Sequence, residues 1–295
     1  MTAPAARTVV ACGSGELAMF RYGDAGGRPL LAIHGVTSSH LAWQFLADAL
    51  LPKGYTIYAP DLRGRGDSNR VGGPYGMLTH AADMAALLDA VGVQKTDVIG
   101  HSMGGFVAAA FFHAYPHRVQ QLVLLDGGVP LAMPPGMTVE QLMPIILGPA
   151  LQRLSMTFAS LAEYRTFTQQ NPAWNRGWND ALDRYLEHDL RGPAGAQSPS
   201  TVTEAVARDS EDLWGGNVVE TALLELDREV LFLRAERGLQ NDAPLYPLVH
   251  IEAAVRMYPR LRLHTVPDTN HYDILMSTYG AQLCAAAIVE QEHTA

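Results

Sequence analysis

The sequence predicts an α/β fold in which a mostly parallel sheet carries helices on both faces. Short continuous apolar runs, such as residues 30–33 and 119–125, suit central strands that are buried on both sides. Stretches with apolar residues at helical spacing lie between these runs, for example around residues 41–50 and 84–91. Such alternation of strand and helix is typical of parallel sheets, because parallel neighbours are usually joined by a helical crossover.

The predicted elements follow one another in the order that this class requires. The predicted strands are, in chain order, residues 8–11, 17–22, 30–33, 55–59, 97–99, 119–125, 230–233 and 261–266. The predicted helices lie near residues 41–50, 84–91, 103–115 and 251–257, and from about residue 274. The first two strands are close together and predict a hairpin, and Pro116 ends the third helix.

The alternation stops in the middle of the chain. From about residue 130 to about residue 213 the sequence has helical stretches with Pro and Gly between them and no convincing strand. We therefore predict a helical lid at residues 130–215, inserted into one sheet domain that residues 1–129 and 216–295 form together.

The composition limits the class of protein further. The chain has 295 residues, of which 48% are hydrophobic and 17% charged. A chain of this length and composition can bury a large core, and it is not of the disordered class. The formal net charge is -9. Because nucleic-acid binding needs a basic face, we expect no nucleic-acid partner.

The sequence also predicts where the protein resides. We expect no signal peptide, because the N-terminus lacks a basic stretch followed by an apolar run. We expect no membrane span, because no apolar segment reaches ~20 residues. Cys12 and Cys284 have no close partner in sequence, which indicates free thiols in a cytoplasmic protein. The oligomeric state is left open, a homodimer included.

A serine lies at the centre of the pentapeptide Gly-His-Ser-Met-Gly, residues 100–104, between a predicted strand and a predicted helix. The apex of such a turn needs a strained backbone, and side chains at Gly100 or Gly104 would crowd it. The turn holds the Ser102 hydroxyl clear of the sheet, at a helix N-terminus whose amides favour negative charge. These features predict a nucleophile.

Four separated motifs carry a resemblance to a known family. They are His34-Gly35 after the third strand, the octapeptide Asp-Leu-Arg-Gly-Arg-Gly-Asp-Ser at residues 61–68, the Ser102 pentapeptide, and Asn270-His271 after the last strand. In this order and spacing they resemble the α/β-hydrolase superfamily, over the whole chain except the predicted lid. The resemblance implies a mostly parallel eight-stranded sheet flanked by helices, an inserted helical lid, and a serine hydrolase of the esterase or lactonase kind.

Ser102 needs a base, because its hydroxyl is not ionised at neutral pH. His271 is the candidate, since it follows the last predicted strand and precedes a helix. From that loop it can accept the proton of Ser102 and return it to the leaving group. His113 and His117 have the spacing of a metal-binding pair, but Pro116 ends their helix, so we expect surface residues and no metal site.

The acid that orients His271 is open among three carboxylates. The commonest family pattern has an aspartate after the strand that follows the lid, where this chain has Gly238, with Glu236 and Asp242 displaced from the expected position. Other members carry the acid after the preceding strand, and Asp126 directly follows the apolar run there. We favour Asp126 over Asp242, and Asp242 over Glu236, as the group that holds the histidine tautomer.

The resemblance also implies groups that contact the substrate. The backbone amides of Met103 and Val36 are expected to form an oxyanion hole. Gly35 and His101 adjoin the serine and are candidate substrate contacts. An apolar lid predicts a hydrophobic pocket, and the residues that could line it are Met133, Met137, Met156, Tyr164, Phe167, Trp174 and Trp178.

The sequence thus predicts a serine hydrolase that needs no cofactor and acts on a neutral, hydrophobic ester or lactone. No cluster of Arg or Lys indicates a site for a phosphate or carboxylate. The alternatives are a carbon–carbon bond hydrolase of aromatic catabolism, a cofactor-free haloperoxidase or perhydrolase, and a ligand-binding, receptor-like descendant without turnover. Epoxide and haloalkane hydrolases of the family carry aspartate at the position of Ser102, so we do not expect those reactions.

Overall fold

Eight strands form one sheet in the computed structural model, which describes residues 2–13, 15–174, 177–214 and 218–292. The strands within these ranges are β1 (Ala6–Cys12), β2 (Gly15–Tyr22), β3 (Arg28–Ile33), β4 (Tyr55–Pro60), β5 (Thr96–His101), β6 (Val119–Leu125), β7 (Leu190–Arg191), β8 (Ser198–Pro199), β9 (Val230–Arg237) and β10 (Leu261–Asn270). The α-helices are α1 (Gln44–Leu50), α2 (Met77–Ala90), α3 (Met103–Ala114), α4 (Val139–Leu154), α5 (Leu161–Gln169), α6 (Asp180–Asp189), α7 (Thr203–Ser210), α8 (Val218–Leu224), α9 (Leu248–Met257), α10 (Asp273–Met276) and α11 (Thr278–Glu292).

The strand order of the large sheet is β1-β2-β4-β3-β5-β6-β9-β10. β2 runs antiparallel to β1 and β4, and every other pair of neighbours in this sheet is parallel. The predicted hairpin of the first two strands and the predicted mostly parallel eight-stranded sheet are therefore confirmed. β3, β5, β6, β9 and β10 all point their carboxyl ends to the same edge, where ligands bind in open α/β sheets.

The core lies on both faces of the sheet, because successive residues of a central strand point to opposite sides. Leu31 belongs to the same cluster as Met84 of α2 and Phe111 of α3. Its neighbour Leu30 belongs to a second cluster, with Phe45 of α1. This two-sided burial explains why the central strands are continuous apolar runs in the sequence.

Glycines bring α3 very close to the strands beneath it. A Cβ at Gly104 would lie 2.0 Å from the carbonyl oxygen of Ile33, and one at Gly100 would lie 2.0 Å from the carbonyl oxygen of Gly104. The first turn of α3 therefore packs backbone to backbone against β3 and β5. This contact fixes the turn that carries Ser102.

The chain between β6 and β9 is mainly helical, and it contains α4 to α8. It also contains a short antiparallel pair, β7 with β8, which the sequence analysis did not predict. Two-residue strands are too short to leave an alternating pattern in the sequence. The predicted lid boundaries at 129/130 and 215/216 stay predictions, and residues 215–217 lie outside the described residues.

Two further expectations concern the thiols and the membrane. Cys12 and Cys284 are both unpaired, as the sequence predicted. Across the described parts of the chain, every helix falls short of the length and hydrophobicity that a membrane crossing requires.

Gly104→Ala is expected to lower the free energy of unfolding by about 1–3 kcal/mol or more, because its Cβ would overlap the Ile33 carbonyl. The matched control is Gly148→Ala within α4, where a Cβ meets nothing within 4 Å. That change should raise stability by about 0.5–1 kcal/mol, because alanine loses less backbone entropy in a helix. Urea unfolding followed by circular dichroism measures both values, and effects of the same sign would contradict the packing described here.

Candidate active site

Three predicted catalytic residues follow strands of the sheet at its carboxyl edge. Ser102 follows β5, Asp126 follows β6 and His271 follows β10. The Ser102 amide donates to the carbonyl of Leu125 (3.0 Å), which ties the residue after β5 to the end of β6. In the same way, the Asp126 amide donates to the carbonyl of Leu233 in β9 (2.7 Å). Neighbouring strands therefore bring together residues that are far apart in sequence.

Ser102 has the strained backbone that its turn requires. Its φ is 54° and its ψ is -126°, and α3 begins at the next residue, Met103. Asp126 also has a positive φ, 45°. Gly127 allows the two turns to touch, since a Cβ at that residue would lie 2.0 Å from the Ser102 carbonyl oxygen. Strained non-glycine residues cluster at functional sites, where the surrounding structure holds them in place.

The imidazole of His271 is paired with Asp126. His271 Nδ1 lies 2.7 Å from Asp126 Oδ2, and both side chains are buried. The other carboxylate oxygen, Oδ1, accepts the amide of Ala235 in β9 (3.1 Å). Because an ionised carboxylate only accepts hydrogen bonds, Nδ1 carries the proton, and the lone pair of Nε2 remains available as a base.

The other two carboxylates that the sequence offered lie elsewhere. Glu236 is exposed, and its Oε2 accepts the amide of Asp268 (2.8 Å). Asp242 is also exposed, in a turn where its carbonyl accepts the amide of Gly238 (3.0 Å). Of the three candidates, Asp126 is the one that the structure brings to His271.

His101 is a positioning residue in this structure. Its Nε2 lies 2.8 Å from the carbonyl oxygen of His271, and the two rings are 4.7 Å apart. Burial, together with the nearby His271, holds the pKa of His101 well below its ordinary value, so the ring is neutral and Nε2–H donates. The ring therefore holds the loop of His271, and the prediction that His101 contacts substrate stays a prediction.

Ser102 lies at the same sheet edge as this pair, tied to the end of β6 by its backbone amide. Among the residues that the structure describes, no hydrogen bond joins the Ser102 hydroxyl to His271. A Cβ at Gly35 would lie 3.1 Å from Ser102 Cβ, so the loop after β3 touches the serine side chain. Catalytic hydrogen bonds of this kind are often long until substrate binds.

A small cavity joins Ser102 to both predicted oxyanion residues. Its volume is about 20 Å³, which is room for roughly one water molecule. Val36, Met103 and Ser102 line one part of it, and the rest of its wall is apolar, with Phe106, Leu131, Ile146, Leu147, Leu213 and Leu245. The sequence analysis missed these leucines and Ile146, because they come from the inserted chain and from the loop after β9.

A buried charge cluster holds the oxyanion loop. Arg65 is fully buried, and its Nε donates to the carbonyl of Val36 (2.9 Å). Its Nη1 donates to Asp209 of α7 (2.5 Å), and His80 Nε2 lies 2.9 Å from the same carboxylate oxygen. Burial raises the pKa of Asp209, but His80 and Arg65 outweigh it and lower the pKa to about 2. The inserted chain thus supplies the counter-charge of the arginine that fixes this loop.

A larger cavity has a volume of about 240 Å³, and some of its lining residues directly follow lining residues of the small one in sequence. Thr37 and Gln240 line the larger cavity, and they directly follow Val36 and Leu239, which line the small cavity. Tyr272, which directly follows His271, also lines the larger cavity. Of the predicted lid contacts, Trp174 and Phe167 line this cavity. Trp174 also packs on Tyr272, with ring centroids 4.5 Å apart.

The other predicted lid contacts that the structure describes do not line this cavity. Met133 is exposed. Met156 packs at the edge of the second core cluster. Tyr164 is fully buried, and its hydroxyl donates to Asp189 (2.6 Å). Trp178 is half-buried and donates to Asp183 (2.9 Å). Tyr164 and Trp178 are thus bonded within the chain between β6 and β9, and the prediction that these four residues contact substrate stays a prediction.

One cluster outside the catalytic residues has the donor atoms of a metal site. The ligand atoms of His40, Asp61 and His188 all lie within 4.8 Å of one another. Asp61 already accepts the amides of His40 and Asp67 and lies within hydrogen-bond distance of both imidazoles. Burial raises its pKa, but His40 and His188 outweigh this and hold the pKa well below its ordinary value. We therefore describe the cluster as a hydrogen-bonded centre between core and insertion.

With this geometry in place, the chain can be compared with known proteins. Residues 28–275 match the family described as alpha/beta hydrolase fold, and the chain belongs to that family. It is similar to a soluble epoxide hydrolase of Corynebacterium sp., with 41% identity over 102 residues, which are 34% of this chain and 35% of that protein. It is also similar to lipase LipV of Mycobacterium tuberculosis, with 42% identity over 116 residues, which are 39% of this chain and 43% of that protein.

The matches cover less than half of the length of these curated relatives. Two solved structures resemble the whole chain. E-2-(acetamidomethylene)succinate hydrolase has a TM-score of 0.77 at 21% identity, over 97% of this chain and 98% of that one. The thioesterase domain from the curacin biosynthetic pathway has a TM-score of 0.74 at 20% identity, over 96% and 99%. At 20–21% identity, the similarity to these two structures is evidence for the fold alone.

His34 leads to a prediction for stability against pH. The amide of Leu62 donates to His34 Nε2 (3.0 Å), so Nδ1 carries the proton and donates to the Gly35 carbonyl (2.8 Å). Burial lowers the pKa of His34 from 6.5 to about 4. As the pH falls below 6.5, His34 therefore becomes protonated in the unfolded chain but stays neutral in the folded protein. The free energy of unfolding decreases as the pH falls from 6.5 to about 4.

Between pH 7.5 and pH 4.5 this proton uptake should lower the free energy of unfolding by roughly 2–3 kcal/mol more in the wild type than in His34→Gln. Urea unfolding of both proteins at the two pH values measures the difference. An equal loss in both proteins would show that His34 does not carry this pH dependence.

Proposed function

We propose that the protein is a serine hydrolase that cleaves carboxylic esters or lactones through an acyl-enzyme on Ser102. The observation that carries the proposal is the buried pair of His271 Nδ1 and Asp126, at 2.7 Å, at the sheet edge that presents Ser102. This pair leaves His271 Nε2 as a base toward the serine. A strained turn, a paired histidine and a helix N-terminus are together the parts that nucleophilic acyl transfer needs.

The reaction has two stages. Ser102 Oγ attacks the acyl carbon while His271 Nε2 takes the hydroxyl proton, and the carbonyl oxygen becomes an alkoxide near the amides of Met103 and Val36. The alkoxide then collapses, and the leaving alcohol departs with the proton from His271. In the second stage water attacks the acyl carbon while His271 takes a proton from the water. The new intermediate then collapses, the bond between Ser102 Oγ and the acyl carbon breaks, and His271 returns the proton to Ser102 Oγ as the carboxylic acid is released. Asp126 stabilises the imidazolium in both stages.

The inserted chain acts as a lid in this proposal. The cavity at Ser102 holds about one water molecule, and three leucines and Ile146 of the insertion form much of its wall. A substrate can enter only if these side chains move aside, so binding requires the insertion to shift relative to the sheet. The apolar wall favours a hydrophobic group next to the reacting carbon.

Ser102→Ala and His271→Ala are each expected to reduce kcat/KM for a p-nitrophenyl ester by about 10⁴–10⁶, because members of a coupled triad fail together. His117→Ala is the matched control, since His117 is exposed and lies just before the start of β6, at the sheet edge opposite to Ser102. It should change turnover by less than twofold. If the wild type binds a ligand saturably but turns over none of a panel of esters and lactones, the proposal of an enzyme is contradicted and the receptor alternative is supported.

Asp126→Asn is expected to lower kcat by about 10⁴, because an amide no longer fixes the histidine tautomer or stabilises the imidazolium. Asp242→Asn removes a carboxylate of the alternative family pattern and should cost at most a few-fold. Steady-state kinetics of both variants, with thermal unfolding to show that they fold, decide between the two acids. A large loss for Asp242→Asn together with a small one for Asp126→Asn would assign the acid to the loop after β9.

A further inference from the structure

The larger cavity contains one cationic side chain among the described residues that line it, Arg153 of α4. Its other lining residues are neutral, with a polar side formed by Gln152, Gln170, Asn171 and Gln240 and an apolar side that includes Trp174. A single cation in a polar cavity of about 240 Å³ is unusual unless something compensates its charge. The contacts of Arg153 show how far the protein compensates it.

The protein holds the Arg153 guanidinium in place but leaves part of it unused. Nη1 donates to Asp189 Oδ2 (2.6 Å) and to the Tyr164 hydroxyl, and Nη2 donates to the Thr37 carbonyl (3.2 Å). A guanidinium has five N–H groups. Three of them are engaged, so within the described structure the Nε–H and one Nη2–H remain available to a ligand.

The counter-charge at Asp189 is shared with other donors. Its Oδ1 accepts the amide and the hydroxyl of Ser200 (3.1 and 2.9 Å), and its Oδ2 also accepts the Tyr164 hydroxyl (2.6 Å). Burial disfavours the charge of Arg153, but Tyr164 and Asp189 outweigh it and raise its pKa above the ordinary value. Arg153 is therefore a permanently charged and oriented donor that faces a cavity.

The cavity adjoins the catalytic residues at two points. Thr37, which accepts from Arg153, directly follows the oxyanion residue Val36, and Tyr272 directly follows His271. We place the acyl carbon of a substrate at Ser102 and the far end of the same substrate in this cavity. Guanidinium groups prefer planar carboxylates, which accept two parallel hydrogen bonds.

We propose that Arg153 binds a carboxylate of the substrate, so that the ester or lactone is hydrophobic at its reacting end and anionic at its far end. The proposal rests on the proposed function of Ser102, and it revises the sequence-based expectation of a neutral substrate. The sequence showed no Arg or Lys cluster, but one buried arginine with two free N–H groups is enough to bind one carboxylate.

The test compares esters that differ only in charge. One pair is p-nitrophenyl butyrate with mono-p-nitrophenyl glutarate, which carries the carboxylate on the acyl side. The other pair is phenyl butyrate with the butyrate ester of 4-hydroxybenzoate, which carries it on the alcohol side. For at least one pair, the ratio of kcat/KM for the anionic to the neutral ester should fall about 10–100-fold in Arg153→Met, because charge-assisted hydrogen bonds contribute on this scale.

Two further variants make this result specific. Arg153→Lys keeps a charge opposite Asp189 but loses the planar fork, so it should fold and show a smaller fall in the same ratio. Arg165→Met is the matched control, since Arg165 of α5 pairs with Asp183 and does not line the cavity. It should leave the ratio unchanged. An unchanged ratio for both pairs in Arg153→Met and Arg153→Lys would overturn the proposal.

A binding measurement separates this inference from the proposed reaction. Isothermal titration of glutarate and of 4-hydroxybenzoate into Ser102→Ala needs no turnover. At least one of them should bind, and binding should weaken at least tenfold in Ser102→Ala/Arg153→Met and in Ser102→Ala/Arg153→Lys. Equal binding with and without Arg153 would overturn the carboxylate site even if Ser102 proves catalytic. Inorganic phosphate binding more tightly than both carboxylates would also contradict it.

Discussion

The site depends on one buried hydrogen bond, between the imidazole of His271 and the carboxylate of Asp126. A carboxylate with no exposed surface is stable there only because it has partners on both oxygens, His271 on one and the Ala235 amide on the other. Those partners come from β10 and β9, and Asp126 itself follows β6. The order of three parallel strands therefore determines where the base lies relative to Ser102.

Two interactions tie the chain between β6 and β9 to the sheet near the site, the ion pair of Arg65 with Asp209 and the hydrogen bond of Arg153 to the Thr37 carbonyl. Val36 and Thr37 are consecutive in the loop after β3, and each carbonyl accepts a hydrogen bond from a different arginine, Arg65 or Arg153. Both arginines are paired with carboxylates of inserted helices, Asp209 in α7 and Asp189 in α6. The chain between β6 and β9 thus acts on the loop after β3 in two ways, through the counter-charge of Arg65 and directly through Arg153. A shift of the insertion that admits substrate would also act on this loop.

Much of the fold and part of the site could be predicted from the sequence. The central strands were visible because burial on both faces makes them continuous apolar runs, and Ser102 was visible because its strained turn demands Gly100 and Gly104. The acid stayed open between Asp126 and two alternatives. Asp126 follows β6, Glu236 lies at the end of β9 and Asp242 lies in the turn after it, and only the folded protein shows which carboxylate reaches His271.

The cavity residues were harder to predict, because they come together only through tertiary packing. Arg153 lies on a helix whose sequence resembles any amphipathic surface helix, and its role depends on Asp189 and Thr37, which are distant in sequence. Large aromatic residues such as Tyr164 are natural candidates for substrate contacts in a sequence, but Tyr164 is buried and bonded to Asp189. Composition predicts that an inserted segment has a core, but it does not say which side chains face the cavity.

The central claim, that His271 and Asp126 activate Ser102, is tested most directly by labelling with a p-nitrophenyl phosphonate followed by peptide mapping with mass spectrometry. The account predicts one label per chain, on the peptide that contains Ser102, and labelling at least a hundredfold slower in His271→Ala. Labelling of Ser102 at the same rate without His271, or labelling of a different residue, would contradict it.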